Sequence, residues 1–238
     1  MTEGLPPVSR ETDTRSHRTA PEPPPEAAAA FGFALSQAEA FAELLCGPAV
    51  ERGLLGPTEA HRIWDRHLLN CVVVGELIPE GARVDDVGSG AGLPGIVLAL
   101  ARPDLEVTLV EPLLRRATFL GEVVEAMKLD NVNVVRQRAE ERARSAPQAD
   151  VVTARAVAKL DRLGGWCLPL LREGGTLLAM KGETAAAELA ASRRALEEAG
   201  GRQATVVLCG VGLLEQPTTV VRVVARTAPP RQRAGRRG

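Results

Sequence analysis

Large apolar positions fall three and four residues apart between residues 31 and 77. Phe41, Leu44 and Leu45 form one such series, and Ile63, Trp64, His67, Leu68 and Cys71 form another. That spacing is the stripe of amphipathic helices. Gly53, Gly56 and Pro57 divide it into at least two helices, predicting a small helical subdomain over residues 29–80. From Arg83 the period changes. Short runs rich in branched side chains, at 84–87, 106–110, 133–135, 151–153 and 176–180, alternate with helical stretches at 94–100, 113–127, 160–171 and 183–199. Two further runs, 204–209 and 218–225, have no helix between them. Alternating strands and helices predict an α/β fold, a doubly wound and mostly parallel sheet covered on both faces. The helix-free final pair predicts one late antiparallel strand. This stretch, 81–226, is the expected α/β domain, and no internal repeat is present.

The ends differ from the middle. Residues 1–28 hold prolines at 6, 7, 21, 23, 24 and 25 with few large apolar groups, and are expected to form a disordered tail. Residues 227–238 contain Arg231, Arg233, Arg236 and Arg237 without an acid, and are expected to form a basic disordered tail. Of 29 basic residues only three, Lys128, Lys159 and Lys181, are lysines, and the net charge is −1. A nucleic-acid partner must therefore be held by a local patch. Aromatic residues are 3% of the chain, too few for a multi-base stacking platform. No apolar run reaches the roughly 18 residues of a membrane span, and no secretory signal pattern opens the chain. Cys46, Cys71, Cys167 and Cys209 are too far apart for paired zinc spacing. A cytoplasmic protein without a metal or membrane partner is expected, with a monomer as the starting expectation.

The stretch Asp85-Asp86-Val87-Gly88-Ser89-Gly90-Ala91-Gly92-Leu93-Pro94-Gly95 follows the first strand and opens a helix. Ligands of doubly wound sheets bind beyond such strand ends. The glycines alone fit both a dinucleotide loop and an S-adenosylmethionine loop. Asp86 favours the second, because a pyrophosphate is anionic whereas S-adenosylmethionine carries an ammonium and a sulfonium. Glu111 ends the second strand, where a carboxylate accepts ribose hydroxyls. Glu140 follows the third strand and is placed at the adenine edge, the alternative being a solvated helix start. Arg155 lies just beyond the fourth strand, either in the site or in a surface ion pair.

These residues resemble a known family, the bacterial small-subunit ribosomal RNA guanine-N7 methyltransferases, also called glucose-inhibited division protein B. The matching stretches are Arg66-His67-Leu68-Leu69-Asn70-Cys71, the glycine loop with its G-L-P-G extension, and the acid-ended second strand with Arg116 and Phe119-Leu120. Arg138-Ala139-Glu140-Glu141, Ala154-Arg155-Ala156 and Met180-Lys181-Gly182 complete the match, which spans about residues 60–182. Asn70-Cys71 and Glu111-Pro112 stand where many members have Asp-Ser. The resemblance implies a class I S-adenosylmethionine-dependent fold. It places cofactor contacts on Gly88, Leu93, Ala139, Glu140 and Arg155, to which residue chemistry adds Asp86, Gly90 and Glu111. The implied acceptor is a guanosine of small-subunit ribosomal RNA, free or in the ribosomal subunit. Guanine N7 carries a lone pair and no proton, so no general base is required, and Arg155 is the candidate site arginine. Arg116, Arg138, Lys181 and the four tail arginines are candidate RNA contacts. His67 and Trp64 read first as helix core, and Cys71 and Cys167 as buried apolar residues. The alternatives are a small-molecule or protein methyltransferase, a non-catalytic cofactor-binding factor in ribosome assembly, and, more distantly, a dinucleotide oxidoreductase.

Overall fold

The computed structural model describes residues 19–146 and 148–226. Seven strands form one sheet: β1 (Arg83–Val87), β2 (Glu106–Val110), β3 (Val132–Val135), β4 (Ala149–Arg155), β5 (Leu171–Lys181), β6 (Gly201–Cys209) and β7 (Thr218–Ala225). Their spatial order is β3-β2-β1-β4-β5-β7-β6. All pairs from β3 to β5 are parallel, and β7 runs antiparallel to both neighbours. The chain switches direction across the sheet between β1 and β4, and the loops at that switch build the site.

The N-terminal helical region comprises α1 (Pro25–Phe31), α2 (Leu35–Leu44) and a run from Ala60 to Leu77 centred on α3 (Leu69–Val72). It packs as a layer on one face of the sheet. Phe41, Ile63, Trp64 and Leu68 join one continuous core with Ile96 and Leu98 of α4 (Gly95–Ala101) and with Val84, Val107 and Leu109 of the strands. This explains a local oddity. The α4 sequence GIVLALA has no polar face, and such a helix is stable only when covered on every side. The sheet covers one side and the N-terminal helices cover the other. On the opposite face, α6 (Ala139–Ser145), α7 (Leu160–Cys167) and α8 (Ala185–Glu198) bury Val152, Leu177, Val221 and Val223. The 14-residue helix α5 (Leu114–Met127) places Phe119, Leu120 and Val123 in the first core.

Three expectations are corrected. Residues 19–28 are not part of a tail: Pro25 starts α1, where a missing N–H costs nothing, and Ala27 is buried. The Pro21 carbonyl accepts the Trp64 Nε1–H at 2.8 Å, anchoring the segment further. The helix expected over 160–171 ends at Cys167, because Pro169 cannot continue its hydrogen bonding, and Leu171 already begins β5. Finally, α6 forms where the sequence reading gave a helix start at Glu140 only as the alternative. The calls for tails at residues 1–18 and 227–238 lie outside the described residues. Among the described residues no helix is long and apolar enough to cross a membrane.

Candidate active site

The glycine loop leaves β1 at Val87 and turns back into α4. Gly88 has φ +71°, and a Cβ there would stand 2.7 Å from Val157 Cγ2. Only glycine gives both the backbone angle and the space. Two consecutive aspartates precede the loop, and strand alternation sends them to opposite faces. Asp85 accepts a two-pronged contact from Arg142, Nε to Oδ2 at 3.0 Å and Nη2 to Oδ1 at 3.1 Å. That pair ties α6 to the sheet.

Asp86 is placed differently from the sequence expectation. It is fully buried beneath the loop, with Oδ2 accepting from the Gly95 N–H at 3.1 Å and Oδ1 from the Thr153 hydroxyl at 2.9 Å. Burial pushes its carboxyl up to about 6, against the lowering effect of Thr153, Ser89 and Gly95. Asp86 therefore shapes the loop from within, and it does not line the ligand cleft. Leu93 likewise packs into the core rather than the cleft, and Gly90 enters through its N–H alone.

A cleft of about 580 Å³ opens beyond the carboxyl ends of β1, β2 and β4. Gly88, Glu111, Ala139 and Glu140 line it together, and the sequence had separated them by up to two strands. Glu111 is the charged group at its base, 1% exposed. Its Oε2 accepts from Gly90 N–H at 3.1 Å and its Oε1 from Leu113 N–H at 3.0 Å. Each carboxylate oxygen keeps a lone pair for a further donor. Ala139 is buried at the first turn of α6, and Glu140 is exposed on the rim. The turn is held by Glu141, whose Oε2 accepts the Arg138 N–H at 2.9 Å. Arg116 and Arg138, expected on RNA, stand on the walls of this cleft, and Arg116 Nη1 lies 3.8 Å from Glu111 Oε2.

Arg155 parts company with the other cofactor candidates. It ends β4 but reaches toward the helical layer, donating from Nη1 to Cys71 Sγ at 3.1 Å and from Nη2 to the Arg66 carbonyl at 3.0 Å. Nη2 also meets His67 Nδ1 at 2.8 Å, and His67 Nε2 meets Glu59 Oε2 at 2.9 Å. An arginine is only a donor and a carboxylate only an acceptor, so His67 holds its proton on Nε2. Burial, with Arg155 alongside, lowers the His67 pKa to about 4, so the ring is neutral. Burial also pushes the Cys71 thiol up, and Cys167 likewise, so both remain thiols. The stretch Arg66-His67 lies in a π-helical turn (Ile63–Leu68), whose wider winding turns carbonyls and side chains out of α-helical register.

Lys181 is tied into the fold: its Nζ donates to the Ala158 carbonyl and to Glu188 Oε1, each at 2.8 Å. Arg231, Arg233, Arg236 and Arg237 lie outside the described residues. Trp64 is core, edge-on to Phe31 at 6.2 Å. Sequence reasoning missed Glu59, whose role depends on a contact eight residues away, and Trp166, which lines the cleft with Arg162 5.0 Å above its ring. Ala156 was also missed as a wall residue; its φ of +55° is unusual for an alanine and is not signalled by the residue type.

The strand order, the glycine turn and the buried acid at the end of β2 define a class I S-adenosylmethionine-dependent methyltransferase. Solved structures agree on the fold. An S-adenosylmethionine-dependent O-methyltransferase from Thermotoga maritima superposes with a TM-score of 0.50 at 16% identity, covering 68% of this chain and 66% of that one. A ribosomal protein L11 methylase from Lactobacillus delbrueckii gives 0.51 at 16% identity, covering 66% and 77%. Sequence comparison is more specific. The family described as GidB, rRNA small subunit methyltransferase G, matches residues 34–216, and this chain belongs to it. Relatives named ribosomal RNA small subunit methyltransferase G include one from Mycolicibacterium gilvum, 54% identical over 93% of this chain and 98% of its own length. Another, from Thermobifida fusca, is 58% identical over 83% of each.

Proposed function

We propose that this protein methylates N7 of a guanosine in small-subunit ribosomal RNA. The residues of the cleft fit S-adenosylmethionine. Glu111, already oriented by two backbone N–H groups, has lone pairs to accept the ribose hydroxyls, and the first turn of α6 walls the side where an adenine would rest. When bound, S-adenosylmethionine supplies an electrophilic methyl group on a sulfonium. Guanine N7, which carries a lone pair and no proton, would be the acceptor of that methyl group and would need no base from the protein. The protein's part is then to position and to exclude water.

The observation that carries the reading beyond the family name is His67. It is the histidine next to Arg155, and its two ring nitrogens are both engaged, one accepting from Arg155 and the other donating to Glu59. Its one lone pair, on Nδ1, is taken by Arg155, so this histidine is not placed as a base. Transfer to an exocyclic amine or a ribose hydroxyl needs a proton removed, whereas transfer to N7 does not.

The test uses small ribosomal subunits from cells lacking this gene, with labelled cofactor. Label should enter the RNA and yield a strand break at one guanosine after borohydride and aniline treatment, which reports N7 alkylation. Label at a ring carbon, an exocyclic amine or a protein would refute the assignment. Glu111→Ala should weaken binding of the demethylated cofactor by about 1–3 kcal/mol, the scale for leaving buried polar groups unpaired. An unchanged dissociation constant would place the ribose elsewhere.

A further inference from the structure

Gly88, Gly90 and Gly92 of the cofactor loop have φ of +71°, +59° and +99°. Glycine is the most mobile residue type, so a loop of this kind keeps one shape only if something holds it. From within, the Ser89 carbonyl accepts the N–H groups of Gly92 and Leu93, at 2.7 and 3.1 Å. From behind, the loop rests on side chains. A Cβ built on Gly92 would stand 2.5 Å from Ile96 Cδ1 and 3.2 Å from Phe41 Cζ. These two groups fill the space that a side chain at position 92 would take. Ile96 belongs to α4, the helix that the loop itself opens. Phe41 comes from α2 in the N-terminal layer and is fully buried, in the core that also takes in Ala91 and Leu93. On its cleft side the loop presents the Gly90 N–H to Glu111 Oε2 at 3.1 Å. A continuous series of contacts therefore runs from α2, through the glycine loop, to the carboxylate at the base of the cleft.

Resting on the cofactor reading above, we propose that Phe41 is a positioning residue for S-adenosylmethionine. Among the described residues none of the N-terminal layer lines the cleft, yet the layer sets cofactor affinity by bracing the loop with this ring. The ring tip holds Gly92, and Gly92 closes the turn that aims the Gly90 N–H. That N–H fixes one oxygen of Glu111 for a ribose hydroxyl. With the brace removed, the loop must be ordered when the ligand arrives, and the cost appears as lost affinity. The loss is the same for the bound cofactor and for the transition state, so KM for the cofactor rises while kcat holds.

The control is Phe31, a second phenylalanine of the same layer, buried and edge-on to Trp64. Full-length parent, Phe41→Leu and Phe31→Leu are compared by calorimetry with the demethylated cofactor, at a temperature where all three are folded. Both substitutions should lower the melting temperature. Phe41→Leu alone should raise the dissociation constant, by about tenfold, as expected when preorganisation is lost. Methyl transfer to undermethylated small subunits should show a raised KM for the cofactor in Phe41→Leu, with kcat at saturation held within about twofold. Exchange of the Gly90 and Gly92 amide hydrogens should quicken in Phe41→Leu and not in Phe31→Leu. Should Phe41→Leu fail to fold, Phe41→Met against Phe31→Met makes the same comparison with a side chain that fills gaps by flexing. Parent protein that does not bind the demethylated cofactor would overturn the cofactor reading and this inference together. Parent protein that binds it, with Phe41→Leu binding equally well, would overturn the inference alone. So would an equal loss of affinity in both variants, which would make Phe41 an ordinary core residue.

Discussion

Asp86 ionises against the pull of burial, which raises its carboxyl to about 6. The sign follows from comparison with the unfolded chain, whose aspartate ionises near 4. As pH rises from about 4 to 6, the unfolded state sheds its proton first, so this group's contribution to stability falls across that window and is flat above it. The loss is on the order of 3 kcal/mol for a shift of about two units. Asp86→Asn removes it while keeping the contacts: the amide oxygen accepts from Gly95 and the amide nitrogen donates to the Thr153 hydroxyl. Urea unfolding of Asp86→Asn should therefore show a flatter pH dependence between 4 and 6, and stability at pH 7.5 no lower than the parent. Cofactor affinity should stay within a few-fold; a 100-fold loss would mean that the carboxylate acts on the ligand after all. Glu111 was legible in the sequence as the acid closing a strand at the right distance from the glycines. The direction of Asp86 was not, because either of two adjacent aspartates satisfies the same spacing. Which one faces Gly95 and Thr153 is decided by strand register, and register is set by partners 67 residues away.

At the scale of elements, α6 shows what periodicity cannot see. Its sequence AEERARS carries no apolar stripe, and only Ala139 is buried. What holds it is the Arg142–Asp85 contact, with side chains 15% and 5% exposed. Removing one partner of so enclosed a pair strands the other charge and costs about 3–5 kcal/mol, whereas replacing both by apolar groups is often close to neutral. Arg142→Met should thus destabilise the protein by about that amount and weaken cofactor binding, since Ala139 and Glu140 lose their tether. Asp85→Leu combined with Arg142→Met should recover most of the stability. A single variant as stable as the parent, in chemical denaturation, would show that α6 is held by something else. β2 and β7 were legible to the residue, because they are runs of branched side chains bounded by polar turns, whereas β4, β5 and β6 begin at Ala149, Leu171 and Gly201, ahead of the branched runs that marked them. The helix over 160–171 was overrun because its apolar spacing continues past Pro169 into the buried start of β5.

Across the whole molecule, the sequence separates a helical region from a strand-helix region by their periods, and the structure joins them through α4. An entirely apolar helix between them means that neither side has a complete core without the other. The two tryptophans report on the two regions: Trp64 is packed among the N-terminal helices, and Trp166 is half-buried at the cofactor cleft on the opposite face. Trp166→Phe leaves only the first reporter and Trp64→Phe only the second. Within each variant, urea unfolding followed by tryptophan fluorescence should coincide with unfolding followed by far-ultraviolet circular dichroism, as a single cooperative transition requires. Trp64→Phe forfeits the bond to the Pro21 carbonyl, so its midpoint should be lower than the parent's while its two signals still overlay. Adding the demethylated cofactor should raise both midpoints together, although it contacts only the strand-helix region, because ligand bound to the folded state stabilises all that unfolds with it. If Trp64 fluorescence changed at lower urea than the dichroism, or failed to follow the added ligand, the helices would be an independent cap and the shared core around α4 would not couple them.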